Sequence, residues 1–246
     1  MRPIRSRLVG ETKETKETKD VRETKHVGES KIERPVSIHM KNVMHKLWDG
    51  IHIIAMTFNP LEMPELKYTF KCFYYSMASL LPVPQARENM IQFTKEFPIE
   101  DYISSKSKVF QWTYLLHDFI NKKTESKKGI SLQEARKKYE EDDITKEFWG
   151  RSIWNIIHIL FKYLPEKLSR EEKETVVTFI QCTQKLLPCQ KCSKHMSQHM
   201  KKYNIKDYLA GNKYLFIWSN ILHNTVNVSV EPQKPVIDVG DAWLLY

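Results

Sequence analysis

The chain has 246 residues, 41% hydrophobic and 28% charged, with a formal net charge of +9. That length holds one large domain or two small ones with real cores. No run of eighteen apolar residues occurs, which excludes a membrane-spanning helix, and four cysteines are too few for a secreted disulfide scaffold of this size.

Lysines occur along the whole length, so the charge reads as a solvated basic surface, and no specific nucleic-acid partner and no membrane are expected. Residues 1–37 carry the run ETKETKETKD and few apolar side chains. Burial there cannot offset ordering entropy, and a disordered charged arm is expected. The basic start, MRPIRSRLVG, is not followed by an apolar stretch. It is therefore not read as a secretory signal, and a cytoplasmic or nuclear setting is expected.

From residue 38 onward apolar residues recur at helical spacing, and the seven glycines rarely mark turns. An all-α fold is expected, with helical domains over 38–125 and 146–246 joined by a linker over 126–145. In the second domain a helix over 147–163 puts Trp149, Ile153, Ile156, Ile157 and Leu160 on one stripe, and Pro165 closes it. Ser169 and Glu172 form a capping box for a second helix that runs to Leu187 and stops before Pro188. A third helix begins at Cys189–Cys192 and a fourth covers about 213–228, which makes a four-helix bundle.

The two domains repeat one another at a constant spacing of 106 positions. Trp48 and His52 match Trp154 and His158; Leu80, Leu81 and Pro82 match Leu186, Leu187 and Pro188. Asp101 and Tyr102 match Asp207 and Tyr208, Trp112 matches Trp218, and His117 and Asn121 match His223 and Asn227. A single gapless shift across all of these makes the halves copies of one fold. Where the second copy has Cys189, Cys192, His195 and Arg151, the first has Val83, Ala86, Asn89 and His45. The first copy has kept a scaffold and lost a chemistry, and is expected to pack on the second as a built-in pseudo-dimer partner.

The chemistry concentrates in the second copy. Cys189-x2-Cys192 at a helix start suits thiol–disulfide exchange, because the helix N-terminus stabilises thiolate. Cys189, Cys192, His195 and His199 also have zinc-type spacing, but on one short helix they cannot surround an ion. Arg151, Trp154 and His158 share a helix face, as do His223 and Asn227, and Cys192 and His195. These groups offer a cation for phosphate, flat rings for stacking and amides for base edges beside a redox CxxC. That set suits a dinucleotide with an aromatic redox ring.

The combination of GRxxWxxxH (Gly150 to His158), CxxCxxH (Cys189 to His195) and WxxxxHNxxN (Trp218 to Asn227) resembles the Erv/ALR flavin-linked sulfhydryl oxidases. The degenerate unit ahead of an active one is similar to the baculovirus sulfhydryl oxidases and to the quiescin-type oxidases. The resemblance implies tandem bundles, each of four helices plus a short extra one. It implies a viral protein active in an infected cell or virion, and FAD as cofactor. Cys189 would exchange with substrate and Cys192 would pass electrons to the flavin. Gly150, Arg151, Trp154, His158, Cys192, His195, Trp218, His223, Asn224, Asn227, Lys234 and Trp243 would hold FAD, with no metal. The implied reaction oxidises protein dithiols, directly or through a small thioredoxin-like relay protein, and reduces O2 to H2O2; a homodimer is an expected assembly. The structural disulfide of many cellular members is missing, with Asn220 and Val239 at the matching places, and Val228 and Ser229 stand where a basic residue is common. Two rival readings are a non-catalytic helical scaffold with zinc at the CxxC/His cluster, and a thiol reductase or isomerase without flavin.

Overall fold

The helical spacing is realised as α1 (Ile38–Thr57), α2 (Lys67–Leu80), α3 (Pro84–Glu96), α4 (Lys106–Lys123), α5 (Leu132–Glu140), α6 (Lys146–Lys162), α7 (Arg170–Lys185), α8 (Gln190–Lys202), α9 (Asn212–Val230) and α10 (Val239–Leu245). The computed structural model describes residues 38–124, 129–140 and 145–246, so the arm expected over 1–37 lies outside the described residues. Among the described residues there is no strand, and no helix is long and apolar enough to cross a membrane.

Helix starts follow local chemistry. Ser169 and Glu172 close both bonds of the capping box, Glu172 N–H to Ser169 Oγ at 3.2 Å and Ser169 N–H to Glu172 Oε2 at 2.8 Å. Thr145 caps α6 and Asp238 caps α10 through their side chains. The stretch 126–145, expected as a linker, contains α5. Ser131 and Glu134 form a second capping box at its start, with bonds of 3.2 and 2.7 Å. Ala135 and Tyr139 then bury against Ile53, Met56 and Phe110. With nine mostly polar residues and two inward apolar ones, α5 has too short a stripe to stand out in periodicity.

The described residues from 38 onward form one compact unit whose hydrophobic core draws on both copies. The helices that meet between copies are equivalent ones, α1 on α6 and α2 on α7. This is the arrangement of a pseudo-twofold axis. Phe73 and Phe179, equivalent residues, stack across it with ring centroids 5.7 Å apart.

At the α1–α6 crossing the equivalent positions are Gly50 and Ile156, and here symmetry is broken. A Cβ on Gly50 would lie 2.5 Å from Ile156 Cδ1 and 2.8 Å from the backbone oxygen of Ser152. The isoleucine fills the space that the glycine leaves, so the two copies are complementary at this point and not interchangeable. Because a backbone atom cannot give way as a side-chain tip can, Gly50→Ala should destabilise the chain by about 1–3 kcal/mol. A urea-denaturation midpoint unchanged by the substitution would show that the helices are not in this contact.

Candidate active site

Cys189 is the N-cap of α8 and Cys192 lies one turn in, which joins their sulfurs as a disulfide with Cα atoms 5.1 Å apart. Cys189 Sγ also accepts the N–H of Cys192 at 3.1 Å. That bond and the partial positive charge of the helix start favour negative charge on Cys189 once the disulfide opens. Gln184 on α7 donates to Ser193 O at 2.9 Å and to Ser193 Oγ at 2.7 Å, which fixes the head of α8 against its neighbour. The zinc-spaced set is not gathered about a common centre among the described residues. Cys182, the other cysteine of this copy, is buried, and burial together with Cys72 pushes its thiol up to about 11, an unreactive thiol as its position suggests.

Cys192, and not Cys189, opens onto a cavity of about 350 Å³ walled by α6, α8, α9 and the segment leading to α10. Gly150, Arg151, Trp154, His195, His223, Asn227 and Lys234 also line it. Trp154 and His223 stack with ring centroids 4.2 Å apart and planes 14° apart, a flat double layer from two helices. Arg151 and Lys234 are exposed cations at its rim. A Cβ on Gly150 would meet no protein atom within 4 Å, so this glycine leaves room on the cavity side and not for another helix.

Four expected residues are not part of the cavity wall. Trp218 is fully buried and its indole N–H donates to Tyr203 O at 2.8 Å, as Trp112 donates to Phe97 O in the first copy. Asn224 brackets Ile237, donating to its carbonyl at 2.8 Å and accepting its N–H at 3.1 Å. Asn220 donates to the same carbonyl at 3.1 Å, so amides tie the C-terminal segment where a disulfide was noted as missing. Trp243 packs edge-on against Phe216, with its backbone oxygen held by Lys162 at 2.6 Å.

His158 is the fourth, buried as the middle of a directed chain. Ser219 Oγ donates to Phe216 O at 2.8 Å, so toward His158 it can only accept, at 2.9 Å from Nδ1. His158 therefore carries its proton on Nδ1, and its Nε2 accepts from His223 Nδ1 at 3.0 Å. This leaves Nε2 of His223, a cavity-lining residue, as a hydrogen-bond acceptor. Burial pulls His158 down to about 3, helped by His223, and burial with nearby Lys234 pulls His223 down to about 4. Both rings are neutral near pH 7, and the order of donors holds.

Sequence reading missed Tyr246. Its ring lies 4.9 Å from that of His158, it lines the cavity, and burial pushes its hydroxyl up to about 12. Its counterpart Tyr139 lies 5.2 Å from His52. The two tyrosines are 107 positions apart, one more than the repeat spacing, and this single-residue slip hid the match. The apolar wall, which includes Leu187, Met196, Val226 and Ile237, carries no motif and so gave no signal.

The first copy preserves the relay but not the room. His52 bonds Thr113 Oγ and His117 at 3.1 Å each, Trp48 stacks on His117 at 3.8 Å, and burial pulls His52 to about 3 and His117 to about 4. Its cavity is only about 90 Å³, with Lys138 and Tyr139 in its wall and both bonded to Asp49. Four imidazoles are thus neutral in the fold at pH values where free histidine, near 6.5, takes a proton. Their contribution to stability is complete above about pH 6.5 and is lost as pH falls toward about 4 and then 3. The melting temperature should fall steeply between those limits, and His158→Gln should reduce proton uptake on unfolding near pH 5 by about one. A flat profile would contradict the neutral relay.

A sequence model described as the Erv1 / Alr family matches the chain twice, over residues 45–141 and 151–243. The FAD-linked sulfhydryl oxidase ERV2 of Saccharomyces cerevisiae is 33% identical over 86 residues, 35% of this chain and 43% of that protein. The FAD-linked sulfhydryl oxidase ERV1 of Arabidopsis thaliana is 32% identical over 88 residues, 35% of this chain and 44% of that protein. The probable FAD-linked sulfhydryl oxidase R368 of Acanthamoeba polyphaga mimivirus is 31% identical over 85 residues, 34% of this chain and 59% of that protein. The chain spans about half the length of the curated relatives it matches. No solved structure matches it. With both helical units covered by one family description, the chain belongs to the Erv1 / Alr family.

Proposed function

We propose that the chain is an FAD-dependent thiol oxidase that forms disulfides in protein substrates. The observation that carries this reading is the position of the Cys189–Cys192 disulfide, whose inner sulfur alone opens onto the aromatic-walled cavity. The residues present fit the cofactor. Trp154 and His223 offer flat faces, the Nε2 acceptor of His223 and the amide of Asn227 suit a purine edge, and Arg151 and Lys234 suit a diphosphate. Gly150 leaves space that a side chain would fill. Bound there, FAD would take two electrons from the dithiol and pass them to oxygen as hydrogen peroxide.

The remaining steps belong to the chain. A substrate thiolate attacks Cys189, and Cys192 leaves as the thiolate that faces the cavity. The second substrate thiol then displaces Cys189, whose departing charge is stabilised by the N–H of Cys192 and the start of α8. His158, Ser219, Trp218 and Asn224 act by position: they fix the His223 tautomer, the α9 register and the closing segment.

The purified protein should absorb at ~450 nm, lose that band with dithiothreitol and regain it in air. A colourless protein after refolding with FAD would overturn the reading. Cys189→Ser should abolish turnover and keep the flavin, whereas Gly150→Val should reduce flavin content by filling the cavity. Flavin should be bound at one per chain, and Val83→Cys with Ala86→Cys should not add a second, because the first copy lacks the room and has His45 and Asn89 in place of Arg151 and His195.

A further inference from the structure

The basic charge is not evenly scattered, as the count along the chain first indicated. Between Glu174 and Asp207 there is no acidic residue, while Lys185, Lys191, Lys194, Lys201, Lys202 and Lys206 all fall there. Six of the nine net positive charges thus sit on this one stretch. The equivalent stretch of the first copy, residues 69–100, balances Lys71, Arg87 and Lys95 against Glu88, Glu96 and Glu100. Both stretches fold as the same pair of helices, so the fold does not require the charge. The charge goes with the disulfide.

All six lysines are exposed, and none takes part in an ion pair among the described residues. Helix stability accounts for some of them, since Lys185 ends α7 and Lys201 and Lys202 end α8, where the helix dipole favours cations. It does not account for Lys191, which occupies the first turn of α8 beside the disulfide. The dipole opposes a cation there.

A groove of about 390 Å³ runs between α7, α8 and the turn that follows α8. Lys185, Lys201 and Lys206 line it, together with Gln181, Gln184 and Asn204. Gln184 is the residue that grips Ser193, so the groove begins one residue from Cys192. The helix is only about 20 Å long, and screening acts over about 8 Å at physiological salt. A group at Cys189 is thus screened from the far end of α8, but an extended client of about six residues lying along the groove reaches the lysines at both ends of the helix.

Resting on the thiol-oxidase reading above, we infer that the substrate class is a polypeptide dithiol flanked by acidic residues, whose chain lies in the α7–α8 groove. The lysines pair with its carboxylates and the groove amides with its backbone. Nucleic acid would match the charge, but it carries no thiol, and the groove wall has no aromatic side chain on which a base could stack. In the exchange, the client's thiolate forms a bond to Cys189 sulfur as the Cys189–Cys192 bond breaks. The client's second thiolate then closes the client disulfide and releases Cys189. The client loses two electrons and two protons, the cysteine pair gains them, and the flavin and oxygen of the proposed oxidase reoxidise the pair.

The test uses the flavin-loaded full chain and three CxxC peptides with acidic, neutral and basic flanks, with dithiothreitol as an uncharged control. Oxygen uptake should give a kcat/KM about tenfold or more higher for the acidic than for the basic peptide, with a difference that shrinks as salt is raised. The triple variant Lys185→Glu, Lys201→Glu, Lys206→Glu should keep its flavin spectrum and dithiothreitol turnover and reverse that order. If this variant misfolds, the Lys→Gln triple should level the order instead. Equal rates for all peptides in a wild type active on dithiothreitol would overturn the inference and leave the oxidase intact. A single-stranded oligonucleotide that binds more tightly than the acidic peptide would overturn it too. No flavin and no dithiothreitol turnover would remove the oxidase reading, and the inference with it.

Discussion

The approach of α1 to α6 at Gly50 is the constraint on which the rest of the molecule depends. It allows two copies of one bundle to share a core, with Ile156 filling at one equivalent position what Gly50 vacates at the other. Identical residues would either collide there or leave a void, and voids and overpacking each cost stability. A pairing that is symmetric in its helices and asymmetric at its centre also ties each copy to its own side. α6 can then serve as a wall of the cavity on its other face, because its first face is already committed.

The histidine relay separates what the fold needs from what the chemistry needs. His52 and His158 sit in matching chains, each from a hydroxyl that has spent its proton on a backbone carbonyl to a second histidine stacked on tryptophan. The first copy keeps this chain although it has neither the cysteines nor the arginine. The relay is therefore a structural element of the bundle, a satisfied way to bury two imidazoles against aromatic rings. In the second copy the same element ends in a cavity, and its last acceptor becomes available to a ligand. Function there arises from added space and added charge around an inherited frame.

Much of this was legible in the residues. The four long helices of each copy, the Ser169 capping box and the disulfide pair follow from spacing and capping chemistry, and structure and sequence agree on them. The site was legible only as a set of residue types. A shared helix face placed His158 beside Trp154 and Arg151, but periodicity does not say how deep a face runs, and His158 and Trp218 lie behind the wall. Asn224 carries a motif and serves the backbone of Ile237. α5 and Tyr246 were missed because a nine-residue polar helix gives a weak period and a one-residue slip conceals its repeat.

The first copy is needed because the second cannot close its own surface. Phe179, Ile156 and Ile153 are buried in a core that α1 and α2 help to build, and Phe73 provides the ring that meets Phe179. Without those helices the outer faces of α6 and α7 would present a continuous apolar patch to water. A separate second subunit could cover that patch, but only at the translational cost of association. Covalent linkage removes that cost. It also frees the covering copy to drift in charge and to narrow its own cavity, provided that its inner helices still fit. Loss of chemistry in one half and concentration of charge in the other are two results of the same linkage.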